Sequence, residues 1–378
     1  MKYMSKVAGH TRNRFRLCRL ARLVPVCMFA IVGTDAYAAA PYCAHTSAEL
    51  IADLADVSTD GVANGHENTI RLVAGTFTTS GASFAFKSAS GFALTLEGGY
   101  DSGCTTQDST PGFTKLDGAG INQVLSIQTN GMITVSHLTI QHGFRDDSAN
   151  GGGVGIILTH VQPADPVPVA IISDNVVRDN VSNYSVGGLS VFASAPMPDT
   201  PVGIVDIENN LFVGNTAPTS AAFSTSCESG TVYITNNTIT GNSNTTNDHM
   251  IAVIGGAGSV AYVSNTISYG NLGTGTYDFY IPGFQNVQFN NNDYGSIQGS
   301  APAPGSSGNL IGIDPRFVAA DDFHLRSTSP LLRAGTPTPA GGLPVLDIEG
   351  HPRSVGGRVD LGAFENVDFI FANGFDPN

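Results

Sequence analysis

A repeat of about 27 residues runs through the central region of this chain, a period that marks a stacked architecture. Three units align without gaps: Ile172-Ser-Asp-Asn175-Val-Val177-Arg-Asp-Asn180, Ile207-Glu-Asn-Asn210-Leu-Phe212-Val-Gly-Asn215 and Ile234-Thr-Asn-Asn237-Thr-Ile239-Thr-Gly-Asn242. Weaker copies follow at Val263-Ser-Asn265-Thr-Ile267 and Phe289-Asn-Asn-Asn292-Asp-Tyr294, and an earlier copy, Val135-Ser-His-Leu138-Thr-Ile140, carries leucine at the asparagine position. The aligned asparagines are Asn175, Asn210, Asn237, Asn265 and Asn292, one longer interval followed by three nearly equal ones.

Each unit places apolar side chains on either side of a small polar cluster, which reads as a short strand, a bend at asparagine and a second short strand. Asparagine suits the bend because it tolerates a left-handed backbone and can bond to its own chain. Stacking identical bends sets these amides one above another at the inter-strand spacing of ~4.8 Å, close enough for each to donate to the next. A unit this small cannot bury its apolar face alone, so the coils must stack into a parallel β-solenoid. The alternative, a β-sandwich, also has strands at short regular spacing with turns between. It gives no physical reason for one residue type to recur at one phase of the period.

A solenoid exposes its core and strand edges at its ends and needs a lid. Thr46-Ser-Ala-Glu49 has the spacing of a capping box, and Leu50, Ile51 and Leu54 give the following helix one apolar face, so this helix is the expected N-terminal cap. Extended segments at Thr69–Val73, Phe84–Phe86, Phe92–Leu96 and Val124–Ile127 read as the first coils, with inserted loops at 100–114, 144–152 and 193–202.

Lys2, Lys6, Arg12, Arg14, Arg16, Arg19 and Arg22 open the chain, followed by the apolar run Leu23–Val32 and the small-x-small site Ala36-Tyr37-Ala38. This is the pattern of a secretory signal peptide over residues 1–38. The rival, a membrane anchor, needs ~20 apolar residues, and this run is shorter and contains Pro25. No later segment is long and apolar enough to span. Only Asp35 among the acids precedes residue 39, so removal of the leader leaves 10 bases against 30 acids and takes the formal charge from -14 to -20. That balance speaks against nucleic acid, whose phosphates require a basic patch. Cys43, Cys104 and Cys227 remain in the mature chain. Cys43 and Cys104 can staple its first part in an oxidising compartment, leaving Cys227 as a thiol; three unpaired cysteines are the alternative, and spacing does not decide.

On these residues the chain resembles the right-handed parallel β-helix proteins of the pectin-lyase-like superfamily, in a secreted bacterial branch. The likeness begins at Ile70-Arg-Leu-Val-Ala-Gly-Thr-Phe77, continues through Leu96-Glu-Gly-Gly-Tyr100, Cys104 and the Leu116-Asp117-Gly118 turn, and covers about 43 to 365. Toward the C-terminus, Asp314-Pro-Arg-Phe317, Phe323-His-Leu325 and the stretch from Asp347 to Glu365 look like the choice-of-anchor type Q domain that closes many such helices. The resemblance implies a β-helix over 39–310, an anchor-like region over 311–365 and a sorting tail over 366–378; an ordinary final strand covering the open end is the other reading of the tail. Within the C-terminal motif, Asp347, Arg353, Asp360 and Glu365 gather charge, and Gly350, Gly356, Gly357 and Gly362 permit turns between them. An arginine among carboxylates can pin a loop by bidentate bonds, a structural task.

The fold specifies activity poorly. A lyase needs calcium-holding carboxylates and a Lys or Arg base, whereas a hydrolase needs paired carboxylates. The mature chain has two lysines, Lys87 and Lys115, neither in the repeats, and no hydrolase signature of an Asn-x-Asp, an Asp pair and a Gly-His-Gly. The weak catalytic candidates come from the repeat phase, which puts His142 one coil from Asp179 and Arg145, Asp146 and Asp147 near Arg178 and Asp174. Turn-adjacent Asp is common for backbone reasons alone. No Cys/His cluster has zinc spacing and no Asp-x-Asp-x-Asp-Gly loop is present, so no metal or cofactor is expected beyond weak calcium. The expectation is a secreted or surface-displayed, monomeric, non-catalytic β-helix with a glycan or cell-surface protein as partner; the alternative is a polysaccharide lyase or glycoside hydrolase acting on an acidic polymer.

Overall fold

The structure, a computed structural model, describes residues 40–366 apart from 148–150, 195–201, 274–276 and the single positions 228, 247, 257, 285, 301, 303 and 355. The leader, the tail beyond 366 and most of the 193–202 loop therefore lie outside the described residues. Among those described, the chain is a right-handed parallel β-helix of three long sheets of nine, nine and eight strands and a short fourth of four. Hydrophobic periodicity of two fixes which face points in: in Val169–Ser173, Ala170 and Ile172 are buried, and the next strands repeat the pattern with Val205 and Ile207, then Val232 and Ile234. One coil runs through Val169–Ser173 in the first sheet, Val176–Arg178 in the second, Val181–Ser182 in the short one and Leu189–Ser194 in the third.

Two columns of side-chain amides run along the axis at the bends on either side of the second sheet. At the first bend Asn175 Nδ2 donates to Asn210 Oδ1 (3.1 Å) and Asn210 Nδ2 to Asn237 Oδ1 (3.1 Å). At the second, Asn180 Nδ2 donates to Asn215 Oδ1 (3.0 Å), Asn215 to Asn242 (2.9 Å) and Asn242 to Asn271 (2.9 Å). The acceptor oxygens of Asn210, Asn237, Asn215 and Asn242 also take the backbone N–H of the asparagine one coil earlier. The amides donate to main-chain carbonyls of that earlier coil as well, as Asn210 Nδ2 does to Ile172 O (2.8 Å). Asn175, Asn180, Asn210, Asn215, Asn237 and Asn242 have no solvent exposure, so the bonds satisfy groups that would otherwise be costly to bury.

The ladder departs from the sequence expectation in two ways. Asn265 is not in the first column: Thr266 occupies its level, its hydroxyl accepting the Asn237 N–H (3.3 Å) and its own N–H going to Asn292 Oδ1 (2.9 Å), and Asn309 extends the column. The left-handed residue of the bend is also not the stacked asparagine but the one before it, at Asp174, Asn209, Asn236, Asn265 and Asn291, each with φ between 54° and 58°. The work expected of one asparagine is divided between two neighbours, one shaping the bend and one filling it.

At the N-terminal end, the helix Ser47–Val57 carries the reciprocal Thr46/Glu49 cap and buries Leu50, Leu54 and Val57 on the first coil. Ile51, expected on that face, is 46% exposed, because the apolar stripe continues to Val57 instead. A Cys43–Cys104 disulfide closes this end, and Cys227 is a buried thiol whose pKa burial pushes up to about 12.

The region after 311 runs back along the outer face of the second sheet, where Ile348, Ala363 and Phe364 pack on Val176 and Leu211, and Leu325, Leu331 and Leu361 on Ile267. The bend asparagines that point outward hold it: Asn291 Nδ2 donates to Ala334 O (2.7 Å), Asn265 Nδ2 to Thr336 O (2.9 Å) and Asn209 Nδ2 to Leu346 O (2.7 Å). Arg353 is fully buried here, donating to Asn209 Oδ1 (2.5 Å), Gly362 O (3.0 Å), Ala363 O (2.8 Å) and Glu365 Oε2 (3.4 Å). Asp347 accepts the N–H groups of Glu349, His351 and Glu365, and Asp360 those of Arg333 and Asn366. Gly350, Gly356, Gly357 and Gly362 all have positive φ, so the turns between these charges favour glycine.

Replacing Asn237 with leucine removes an acceptor used by the Asn210 side chain and main chain and leaves the Ile207 and Thr235 carbonyls without this donor. Asn237→Leu should therefore lower stability by about 1–3 kcal/mol in denaturant titration. A pH dependence comes from Asp206 and Glu208, alternate residues of one strand on the outer face of the first sheet. Burial raises Asp206 to about 6, and burial together with Asp206 and Asp174 raises Glu208 to about 8. The folded state thus keeps protons that the unfolded chain has released above the ordinary carboxylate range. Their contribution to stability is full below that range and is lost as pH rises through about 6 and then about 8. The melting midpoint should be higher at pH 4 than at pH 9, and the Asp206→Asn, Glu208→Gln double variant should narrow that gap.

Candidate functional site

A groove of about 460 Å³ lies between the second sheet and the C-terminal segment that covers part of it. Its floor is made of outward side chains of successive strands: Lys115 and Thr139 in register, Gln141 beside Arg178, and Val176 beside Leu211. One wall is the 110–112 turn of the long loop after Tyr100; the other is 320–324 with Glu349 and Phe364. Sheet geometry explains the mixed floor. The inward partners on these strands, Leu116, Ile140, Val177 and Phe212, fill the core, so only the alternate positions are free to be polar.

His324 is the most strongly organised group in the groove. Its Nδ1 lies 2.6 Å from Asp322 Oδ1 and its Nε2 2.9 Å from Glu349 Oε2, while its ring lies against Phe364 at 4.5 Å. The hydrogen bond to Glu349 leads in raising its pKa to about 9, against burial and with help from Asp322, so the imidazole is charged at neutral pH. A charged imidazole held by two carboxylates donates hydrogen bonds but accepts no proton, which suits positioning better than general-base work. Arg178 is bonded to Asp179 (2.7 Å) at the groove's edge.

The residues singled out from the repeat phase are only partly brought together. His142 and Asp179 are neighbours at one bend and share a shallow cleft of about 450 Å³ with Gly120, Phe144 and Val181. His142 bonds Asp117 (3.0 Å) in the coil before it, and both candidates have positive φ, as do Gly214, Gly241 and Gly270 in later coils. Backbone geometry therefore accounts for an aspartate there. Arg145 pairs with Asp147 (2.6 Å) and Gln123 (2.7 Å), and Asp146 accepts from Asn183 (2.9 Å). The expected approach of this group to Asp174 does not occur: Asp174 sits at the opposite end of Val176–Arg178, accepts from Asn209 (3.0 Å) and is one of the carboxylates near Arg353. Among the described residues no cluster of three or more His, Cys, Asp or Glu is arranged to hold a metal.

The groove leaves no signature in the sequence because its two walls lie far apart along the chain, at Thr110 and Asp322, and only the fold-back of the C-terminal segment joins them. Lys115 was visible but lay outside the regular repeats. No protein-family model matches this chain, and a search of curated proteins finds no similar one.

Proposed function

We propose that this chain is a secreted or surface-displayed β-helix that holds a glycan in the groove of the second sheet without cleaving its glycosidic bonds. The observation that carries the reading is the composition of the groove: donors from Lys115, Gln141 and Arg178, acceptors from Asp321, Asp322 and Glu349, and apolar patches at Val176, Leu211 and Phe323 in one open channel. Sugars present the same alternation of hydroxyl edges and apolar faces. The paired charges favour a hydroxyl-rich, uncharged chain over a polyanion, since the mature protein carries -20. The basic leader with its small-x-small site supports export, and the disulfide fits an oxidising compartment. The likeness to the pectin-lyase-like and choice-of-anchor type Q families supports a role at the cell surface.

A lyase acting on an acidic polymer is the second reading, favoured by the presence of Lys115 and Arg178 beside three carboxylates in the same groove. Affinity electrophoresis through gels containing neutral polysaccharides should retard the mature protein, and Gln141→Ala combined with Arg178→Ala should abolish the retardation. Equal migration of variant and parent would remove the groove from consideration. Incubation with uronate polymers, with and without calcium, separates the two readings: release of unsaturated product that disappears in Lys115→Ala would replace binding by cleavage.

A further inference from the structure

On the third sheet, away from the groove, the geometry points to a serine-hydrolase site in which Ser220, His249 and Asp248 act on a short-chain carboxylic ester. Ser220 Oγ lies 2.9 Å from His249 Nε2, and His249 Nδ1 lies 2.6 Å from Asp248 Oδ1. An ionised carboxylate only accepts, so the imidazole proton sits on Nδ1 and Nε2 is left to accept the serine hydroxyl. This is the nucleophile, base and orienting acid in sequence, recognised by geometry and not by chain order.

Three features hold the arrangement. The register of Ser220–Cys227 against His249–Gly255 slips between Ser220 and Phe223, a bulge of the kind that re-aims a side chain. Asn244 accepts the Asp248 N–H (3.0 Å) and donates to His249 O (3.1 Å), fixing the turn that carries acid and base. Tyr280 stacks on the imidazole at 4.8 Å. Ser220 and His249 are both nearly buried, yet both line a cleft of about 300 Å³ on the sheet's outer face, floored by Ser190, Ser224 and Ala252 and bounded by Phe192 and Tyr280. Burial leads in lowering the His249 pKa, against Asp248, which keeps the ring neutral and able to take a proton at neutral pH. The volume lies at the small end of ligand sites, which limits the acyl group, and the serine floor suits a polar alcohol.

In the reaction Ser220 Oγ bonds to the ester carbonyl carbon while its proton passes to His249 Nε2. The carbon–oxygen bond to the alcohol then breaks, and His249 returns that proton to the departing oxygen. Water attacks the acyl-serine with His249 again as base, and Ser220 leaves reprotonated, so ester and water become acid and alcohol.

The test uses the folded mature chain with a biotinylated fluorophosphonate, the site of labelling being mapped by mass spectrometry, and with 4-nitrophenyl acetate as substrate. Labelling at Ser220 is expected, with turnover reduced at least about a hundredfold in both Ser220→Ala and Asp248→Asn. The acidic limb of kcat/KM should lie below the ordinary histidine range. Absence of label on Ser220 in the unsubstituted protein would overturn the assignment, as would unchanged hydrolysis by a folded Ser220→Ala variant. Glycan retardation in groove variants does not enter this test, so the two readings fail independently.

Discussion

Hydrogen bonds between asparagine side chains, passed along the solenoid axis, hold the coils of this protein in register. Main-chain bonds join neighbouring coils within each sheet and reach the bends through carbonyls such as those of Asn175 and Asn210, but the N–H groups of the stacked asparagines go to side-chain oxygens instead. Asn175, Asn210 and Asn237 at one corner, and Asn180, Asn215, Asn242 and Asn271 at the other, are linked by side-chain bonds passed from coil to coil. A register slip of one residue would bury these amides without partners, so the columns fix the stacking as strictly as the apolar core does.

The same bends organise the surface. Because the left-handed residue of each bend precedes the stacked one, its side chain is turned outward, and Asn209, Asn265 and Asn291 use theirs to hold the C-terminal segment against the second sheet. The segment is further tied by the buried Arg353, which bonds Asn209 from the far end of the chain. Its placement creates the groove, so a feature of local backbone chemistry, two polar residues in succession at a corner, shapes a concavity on the molecular surface.

Much of the fold was legible in the sequence, because a repeat states its geometry many times over. The strand-bend-strand unit, the stacking of Asn175, Asn210, Asn237 and Asn292 and the helical cap all follow from spacing and residue type. Asn265 matches the other asparagines in identity but not in register, where Thr266 stands at that level. The second column lies in the same aligned units, at Asn180, Asn215 and Asn242. Sites were far less legible. The groove needs a segment that folds back along the sheet, and the Ser220–His249 contact joins neighbouring coils across an irregular register, so a strict repeat phase does not find it.

Hydrogen exchange resolved by peptide reads out whether the bends carry the stacking. The segments 172–180, 207–215 and 234–242 contain no long strand across their bends, and a loop of that kind ordinarily exchanges fast. If the amide columns hold the coils in register, the main-chain N–H groups of Asn175, Asn180, Asn210 and Asn215, each donated to an asparagine oxygen of the next coil, exchange as slowly as those of the flanking strands. Exchange at these bends orders of magnitude faster than in the strands beside them would contradict that claim.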